Sequence, residues 1–341
     1  MRIAFRVDSS KLIGAGHIKR CLKLAEELKF KCEKIIFITK NLNGNFNYLI
    51  KKKKFKFVSI KRNEFKNKLN KDLDATKSIC KRFKINTLII DHYYLGLSWE
   101  KKIRKHIKKL VVIDDFSKRK HHCDLIINNI GKKNTNNTKY LTGLEYVITP
   151  NNFSHKKNKK ISKIQTIGTF FGSTDNKNCS EEFLKIVSQK EFNDFKFICI
   201  LGKNNKNKKK IEKKYRKFKN FNIEKKFVDM KTFLKKINIL ITSGGVTSFE
   251  ALSSGIKCIN IPINFYQKMN SNFQKRRGVS EVLNYSKVFS KNGKQLLIDC
   301  FKKITKESNF LGKKISIDGR GSRKIANYIL GKEFNRSTKV N

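Results

Sequence analysis

"RVDSSKLIGAGHIKRC" spans residues 6–21 and joins the end of an apolar strand to the start of an amphipathic helix. Upstream, "RIAFRVD" (2–8) is a run of the kind buried on both faces of a parallel sheet. Downstream, "HIKRCLKLAEELKF" (17–30) sets Ile18, Cys21, Leu22, Leu24, Ala25 and Leu28 at helical spacing. A strand, a glycine turn and a helix in that order mark the place where a doubly wound α/β sheet takes its ligand. Gly14 and Gly16 let backbone N–H groups come close to a bound group, and the helix start favours negative charge. His17 stands at that helix start, where the dipole favours the neutral imidazole and leaves it able to act as a base. The plainer alternative is a histidine that only caps the helix.

A nicotinamide-dinucleotide reading fails on the same stretch. It needs G-x-G-x-x-G and an acid at the end of the second strand. Lys19 stands in place of the third glycine, and the second strand, "KIIFIT" (34–39), runs into Lys40.

Outward from this junction the pattern repeats. A basic helix-and-loop region follows the second strand. Then "NTLIIDHY" (86–93) predicts a strand, "WEKKIRKHIK" (99–108) a helix, and "KLVVIDD" (109–115) and "CDLIIN" (123–128) two more strands. The polar stretch "PNNFSHKKNKKISK" (150–163) is read as a domain boundary. Beyond it the alternation restarts with strands at "IQTIGTFFG" (164–172), "FKFICIL" (195–201), "NIEKKFV" (222–228), "INILITS" (237–243) and "IKCINIPI" (256–263). Helices are expected around Glu181–Gln189 and at "VTSFEALSSG" (246–255), and "GKNNKNKKKIEKK" (202–214) is read as a solvated loop. The expectation is an α/β chain of two doubly wound, Rossmann-like domains facing across a cleft, 1–155 and 156–333, with a polar tail at 334–341.

The chain has 341 residues, 38% of them hydrophobic, enough for two folded cores. No apolar run reaches the ~20 residues that cross a bilayer, and no secretory leader fits before the first strand, so a cytoplasmic protein is expected. The eight cysteines form no C-x-x-C pair and read as buried reduced thiols. A formal charge of +52 raises the question of nucleic acid. The lysines are spread throughout rather than gathered in a stripe, and Lys, Asn, Ile and Phe are enriched together as A/T-rich codons would produce. No specific nucleic-acid partner is expected, though anionic substrates are drawn in by such a field.

Three further stretches at strand ends carry polar chemistry. "SGGVTSFEALSSG" (243–255) offers Gly244 and Gly245 to a diphosphate at a helix start, unless it is only a glycine-rich turn with a capping Ser or Thr and a surface glutamate. Glu250 stands where a carboxylate can accept from both ribose hydroxyls. "FFGSTD" (170–175) offers Gly172 and Ser173 to a phosphate, unless Thr174 or Asp175 only caps a helix. "IIDHY" and "VVIDD" place Asp91, His92, Tyr93 and Asp114 at the mouth of the sheet as candidate sugar contacts, unless Asp114 and Asp115 only cap a loop. His121, His122 and Cys123 lack a partner motif for metal.

Together these stretches resemble the PseG family of UDP-sugar hydrolases, which is related to MurG-type transferases of the GT-B fold. The resemblance rests on "FRVDSSKLIGAGHIKRC", "IIDHY", "VIDDF", "HHCDLIINN", "FGSTD", "SGGVTSFEALSSG" and "DGRGSRKIANYI" (318–329), in order along nearly the whole chain. It implies hydrolysis of UDP-2,4-diacetamido-2,4,6-trideoxy-β-L-altropyranose with inversion, in pseudaminic acid biosynthesis, without metal or cofactor. It implies His17 as general base, Ser243 and the Gly244–Gly245 backbone as donors to the diphosphate with Thr247 and Ser248 close by, and Arg6, Asp8 and Gln267 among the substrate contacts. Three positions depart from the family pattern: Ser173 for a glycine, Thr149 for an arginine, and Tyr266 for the asparagine of an Asn-Gln pair. These departures bear on the sugar more than on the nucleotide. The alternative is a UDP-sugar-dependent glycosyltransferase of the same fold.

Overall fold

The computed structural model describes residues 1–60, 68–115, 119–130, 138–149, 165–224, 229–306 and 317–331. The expected boundary at 150–163 and the tail at 334–341 lie outside the described residues. The chain divides into two units, Met1–Pro150 with Gly319–Asn341, and Asn151–Asp318.

The first unit runs β1 (Arg2–Val7), α1 (Gly16–Leu28), β2 (Lys34–Lys40), α2 (Tyr48–Lys52), β3 (Lys56–Ile60), α3 (Lys68–Arg82), β4 (Thr87–Asp91), α4 (Leu97–Arg104), β5 (Lys109–Ile113), β6 (Leu125–Asn128) and β7 (Lys139–Thr142). Its seven strands lie in the order β3-β2-β1-β4-β5-β6-β7, every pair parallel. Alternate residues of β1 feed two apolar layers, as a strand covered on both faces requires. Ile3, Phe5 and Val7 pack with Ile18, Cys21 and Leu24 of α1, while Ala4 packs with Ile36, Ile38, Leu88, Ile90 and Trp99 on the other face. Arg6 follows Ala4 onto that second face.

The second unit runs β8 (Thr166–Phe170), α5 (Cys179–Val187), β9 (Lys196–Ile200), α6 (Lys208–Tyr215), β10 (Phe221–Glu224), α7 (Met230–Lys235), β11 (Ile239–Thr242), α8 (Val246–Ser253), β12 (Lys257–Asn260), α9 (Phe265–Arg276), β13 (Ser280–Val282), α10 (Tyr285–Val288) and α11 (Gly293–Lys306). Its six parallel strands take the order β10-β9-β8-β11-β12-β13. One face buries Phe183, Phe197, Ile241, Leu297 and Phe301 in a single cluster. On the other, Gly168 of β8 admits Ile237 and Phe233 so closely that a Cβ there would stand 2.5 Å from Ile237.

The last helix, α12 (Gly321–Ile329), belongs to the first unit rather than to the second, where a 156–333 domain had placed it. Its Ile325, Ala326 and Ile329 join the α1 side of the first core. Gly321 makes this possible, since a Cβ there would come within 2.2 Å of the Val147 carbonyl oxygen. The stretch 202–214 is also corrected. Its second half is helix α6, because Ile211 and Tyr215, one turn apart, are both buried. Residues 225–228 of the expected strand 222–228 lie outside the described residues.

Candidate active site

In both units the strand order reverses beside the first strand, between β1 and β4 and between β8 and β11. Connections leave those neighbours toward opposite faces, which opens a crevice at their C-terminal ends. The glycine motifs lie at these two points.

In the first unit the β1–α1 loop is tied by its own short bonds. Ser10 Oγ accepts the N–H groups of Leu12 and Ile13 at 3.2 and 3.0 Å, and Gly14 N–H donates to the Ser10 carbonyl at 2.8 Å. Gly14 has φ +81°, and a Cβ there would meet nothing within 4 Å. Glycine is needed for its conformation, and the space beside it is open. Helix α1 then starts at Gly16 with no side chain capping it, which leaves its first N–H groups outward.

His17, the second residue of α1, is 8% exposed. Its Nδ1 lies 2.6 Å from Asp91 Oδ1 at the end of β4, and Tyr93 meets its ring edge-on at 4.5 Å. Among the described residues Nε2 has no partner. Arg20, one turn along the helix, holds the same carboxylate with Nε and Nη2, both at 2.5 Å, and reaches both oxygens of Asp115 with Nη1 at 2.8 and 2.9 Å. Burial alone would raise the Asp91 pKa, but the Arg20 guanidinium outweighs it and holds the carboxyl well below the usual range. An ionised Asp91 only accepts, so the His17 ring proton sits on Nδ1 and the Nε2 lone pair points away from it.

The other residues expected to touch a sugar build the frame beneath this pair. Arg6 is fully buried between Asp8 and Asp72, 2.6 Å from each. Asp8 also accepts the Lys40 N–H at 2.7 Å and His92 Nε2 at 3.0 Å. His92 Nδ1 in turn accepts the N–H groups of Tyr94 and Leu95. Both ring nitrogens are thus engaged within the protein, and burial lowers the His92 pKa. Arg6, Asp8 and His92 are thus held to one another and to the loop that carries Tyr93, and Asp91 faces His17. Asp114 Oδ2 faces His121, while its buried Oδ1 has no hydrogen-bond partner among the described residues. His121 is clamped between Glu100 at 2.7 Å and Asp114 at 3.3 Å. Burial opposes its charge, but these two carboxylates win and push its pKa up to about 9.

In the second unit, Gly172 has φ +96° with nothing within 4 Å of a Cβ position. Ser173 is joined to Asn204, whose N–H donates to the Ser173 carbonyl at 2.9 Å. Asp175 caps α5, accepting the N–H groups of Cys179 and Ser180 at 2.8 and 2.9 Å. At the end of β11, Gly244 has φ +79°, and a Cβ there would stand 2.0 Å from Ser271 Oγ. Gly245 precedes α8, and no side chain caps that helix. Ser243 and Glu250 are buried at this end, and Thr247 is half-buried. Ser248 turns inward instead. Its hydroxyl donates to the Gly245 carbonyl at 2.7 Å and accepts from Gln274 at 2.8 Å, and Gln274 Oε1 accepts from Asn260 at 2.8 Å. Gln267 Oε1 accepts the Ile263 N–H at 3.0 Å and so sets the bend before α9. Sequence reasoning passed over Arg20, Asp72, Gln274 and Asn260, and offered Asp115 only as a loop cap. Arg20, Asp72 and Gln274 sit in helices with many other polar residues, so nothing in the chain marks them, whereas Asn260 stands in an apolar strand.

Comparison with known proteins bears on both units. Residues 166–319 match the family model described as glycosyltransferase family 28 C-terminal domain. The crystal structure of MurG from Acinetobacter baumannii aligns with a TM-score of 0.73 at 13% identity, covering 97% of this chain and 100% of that one. The calicheamicin glycosyltransferase CalG4 aligns at 0.69 and 10% identity, over 99% and 100%. The fold is that of the GT-B glycosyltransferases. Among curated proteins, the chain is 31% identical over 288 residues to an uncharacterised protein of Methanocaldococcus jannaschii, MJ1062, covering 79% of this chain. It spans 57% of the length of that relative. It is 27% identical over 273 residues to the UDP-2,4-diacetamido-2,4,6-trideoxy-beta-L-altropyranose hydrolase of Campylobacter jejuni, covering 76% of this chain and 91% of that protein. Among the described residues no helix is long and apolar enough to cross a membrane.

Proposed function

We propose that the protein is an enzyme of nucleotide-sugar chemistry that hydrolyses a UDP-linked 2,4-diacetamido-2,4,6-trideoxy sugar to UDP and free sugar. The observation that carries this reading is the orientation of His17, whose Nδ1 is engaged by Asp91 at 2.6 Å while Nε2 remains without a protein partner among the described residues. In the reaction, His17 Nε2 takes a proton from water as the water oxygen bonds to the anomeric carbon. The bond between that carbon and the β-phosphate oxygen breaks, its electron pair leaves with UDP, and the anomeric configuration inverts. UDP departs as a stabilised anion, so the pair of carboxylates used by ordinary glycosidases is unnecessary.

In the same reading the α8 end of the second unit binds the nucleotide. The N–H groups of Gly244 and Gly245, with Ser243 and Thr247, stabilise the departing diphosphate, and Glu250 holds the ribose. Gly172 and Ser173 lie at the paired strand end, and Gln267 orders the turn before α9. The relative from Campylobacter jejuni supports this substrate class. Placement in pseudaminic acid biosynthesis belongs to the same proposal, as the resemblance of the sequence motifs implies.

A second reading, transfer of the sugar from UDP to an acceptor, is favoured by the family 28 match over 166–319. Reaction in ¹⁸O-labelled water separates the two. Hydrolysis by C–O cleavage puts one label on the free sugar and none on UDP. A transferase forms no labelled sugar and consumes substrate only when an acceptor is added.

A further inference from the structure

We infer that Arg20 and Asp115 are positioning residues that set the orientation and charge balance of His17 through Asp91. The inference rests on the reading of His17 as the base, but its physical content can be measured without turnover.

The arrangement is a chain of four groups from three elements. His17 and Arg20 are three residues apart on α1 and so share a face. Asp91 ends β4, and Asp115 follows β5, its neighbour in the sheet. Arg20 is 6% exposed, and its fork is shared between the two carboxylates, two nitrogens on Asp91 and the third on both oxygens of Asp115. Such a planar fork fixes the rotation of the carboxylate it grips. With its other oxygen turned to Arg20 Nε, and to the Cys21 thiol at 3.5 Å, Asp91 presents Oδ1 to His17.

Charge is set by the same groups. Arg20 Nη2 lies 3.1 Å from His17 Nδ1. A guanidinium only donates and Nδ1 carries the ring proton, so this is a close approach of positive charge rather than a hydrogen bond. Among the described residues, the groups facing the ring or coupled to it are Asp91 from β4, Arg20 from α1, Tyr93 from the loop after β4, and Asp115 behind Arg20. One cation between two carboxylates leaves a single net negative charge around neutral His17. Proton uptake by His17 brings the cluster to neutrality. Without Asp115, the same uptake would leave a net positive charge in a buried site.

This account requires opposite effects from the two positions. Asp115→Asn keeps a hydrogen-bond partner for Arg20 but removes the compensating charge, so the His17 imidazolium should form less readily than in the parent. Arg20→Met removes the opposing cation, so the imidazolium should form more readily. The double variant should return close to the parent. A role in packing alone would not move the two in opposite directions.

The test is ¹⁵N NMR titration of the histidine rings in the full chain without substrate, with His17 assigned from His17→Asn. Opposite shifts, and a parent ring with its neutral-form proton on Nδ1, support the inference. Equal titration in all variants, or shifts of the same sign, overturn it. If Arg20→Met does not fold, Asp115→Asn decides alone: a downward shift supports the inference, and no shift or an upward one overturns it. If the shifts are found but the parent hydrolyses no UDP-sugar, the charge balance stands and the hydrolase reading falls.

Discussion

His17 Nδ1 and Asp91 Oδ1 lie 2.6 Å apart although 74 residues separate them in the chain. The contact joins the first turn of α1 to the last residue of β4, two elements that meet only because β4 lies beside β1 in the sheet. It turns a histidine at a helix start into one with a defined tautomer and a defined direction.

Asp91→Asn tests that contact. The amide keeps the shape of the carboxylate but not its charge, and an amide nitrogen toward Nδ1 would favour the other tautomer. Turnover should fall roughly 10²–10⁴-fold, as when an orienting carboxylate is lost behind a catalytic histidine. Binding of UDP alone should be unchanged, because Asp91 belongs to the first unit. Steady-state kinetics and calorimetric titration with UDP check the two halves.

Gly244→Ala should weaken UDP binding and lower stability, the left-handed conformation alone costing about 1–2 kcal/mol. The added methyl would also stand 2.0 Å from Ser271 Oγ. Ser271→Ala should therefore recover part of the loss in the double variant, leaving the conformational share. Gly14→Ala has the same conformational cost without a clash, since nothing lies within 4 Å. Thermal melts of the four variants separate the two contributions.

The pH dependence of stability has two limbs. Asp8, Asp72 and Asp91 are held below the usual carboxylate range, each against burial, by Arg6 for the first two and by Arg20 for Asp91. Their contribution is complete above about pH 4 and is lost as pH falls further and they take up protons. His121 works in the other direction, its pKa being pushed up to about 9 in the folded state. Its contribution is complete below the unfolded value of ~6.5 and is lost as pH rises through about 9. Urea midpoints of the parent minus those of His121→Gln should be largest below pH 6.5 and shrink toward pH 9. A difference that does not vary with pH would show that His121 is not charged between Glu100 and Asp114.

Much of the fold is legible in the chain because both sheets are parallel and buried on both faces, which makes strands such as β1, β4 and β11 continuous apolar runs. The short edge strands β3 and β7 are hidden among lysines, and α6 lies within a lysine-rich stretch whose only guide is the spacing of Ile211 and Tyr215. The return of α12 to the first unit is invisible in an apolar stripe, which shows that a helix is covered but not by which sheet. At the site, Gly14, His17, Gly244 and Gly245 stand out because glycine pairs at strand ends have few other uses. Arg20 and Asp115 do not stand out among 79 lysines and arginines and 27 acids, since only the folded chain shows which of them are buried. The same reason explains Arg6, Asp8, His92 and Ser248. Their polar character is visible in the chain, but not that their hydrogen bonds are used internally.

The central claim is that His17 is the base that activates water. The most direct test is the rate of UDP release from UDP-2,4-diacetamido-2,4,6-trideoxy-β-L-altropyranose, measured for the parent and for His17→Ala with UDP affinity recorded beside it. The account requires release of free sugar by the parent, a loss of at least ~100-fold in turnover on removing the imidazole, and UDP affinity that stays the same. Hydrolysis that persists undiminished in His17→Ala would contradict it.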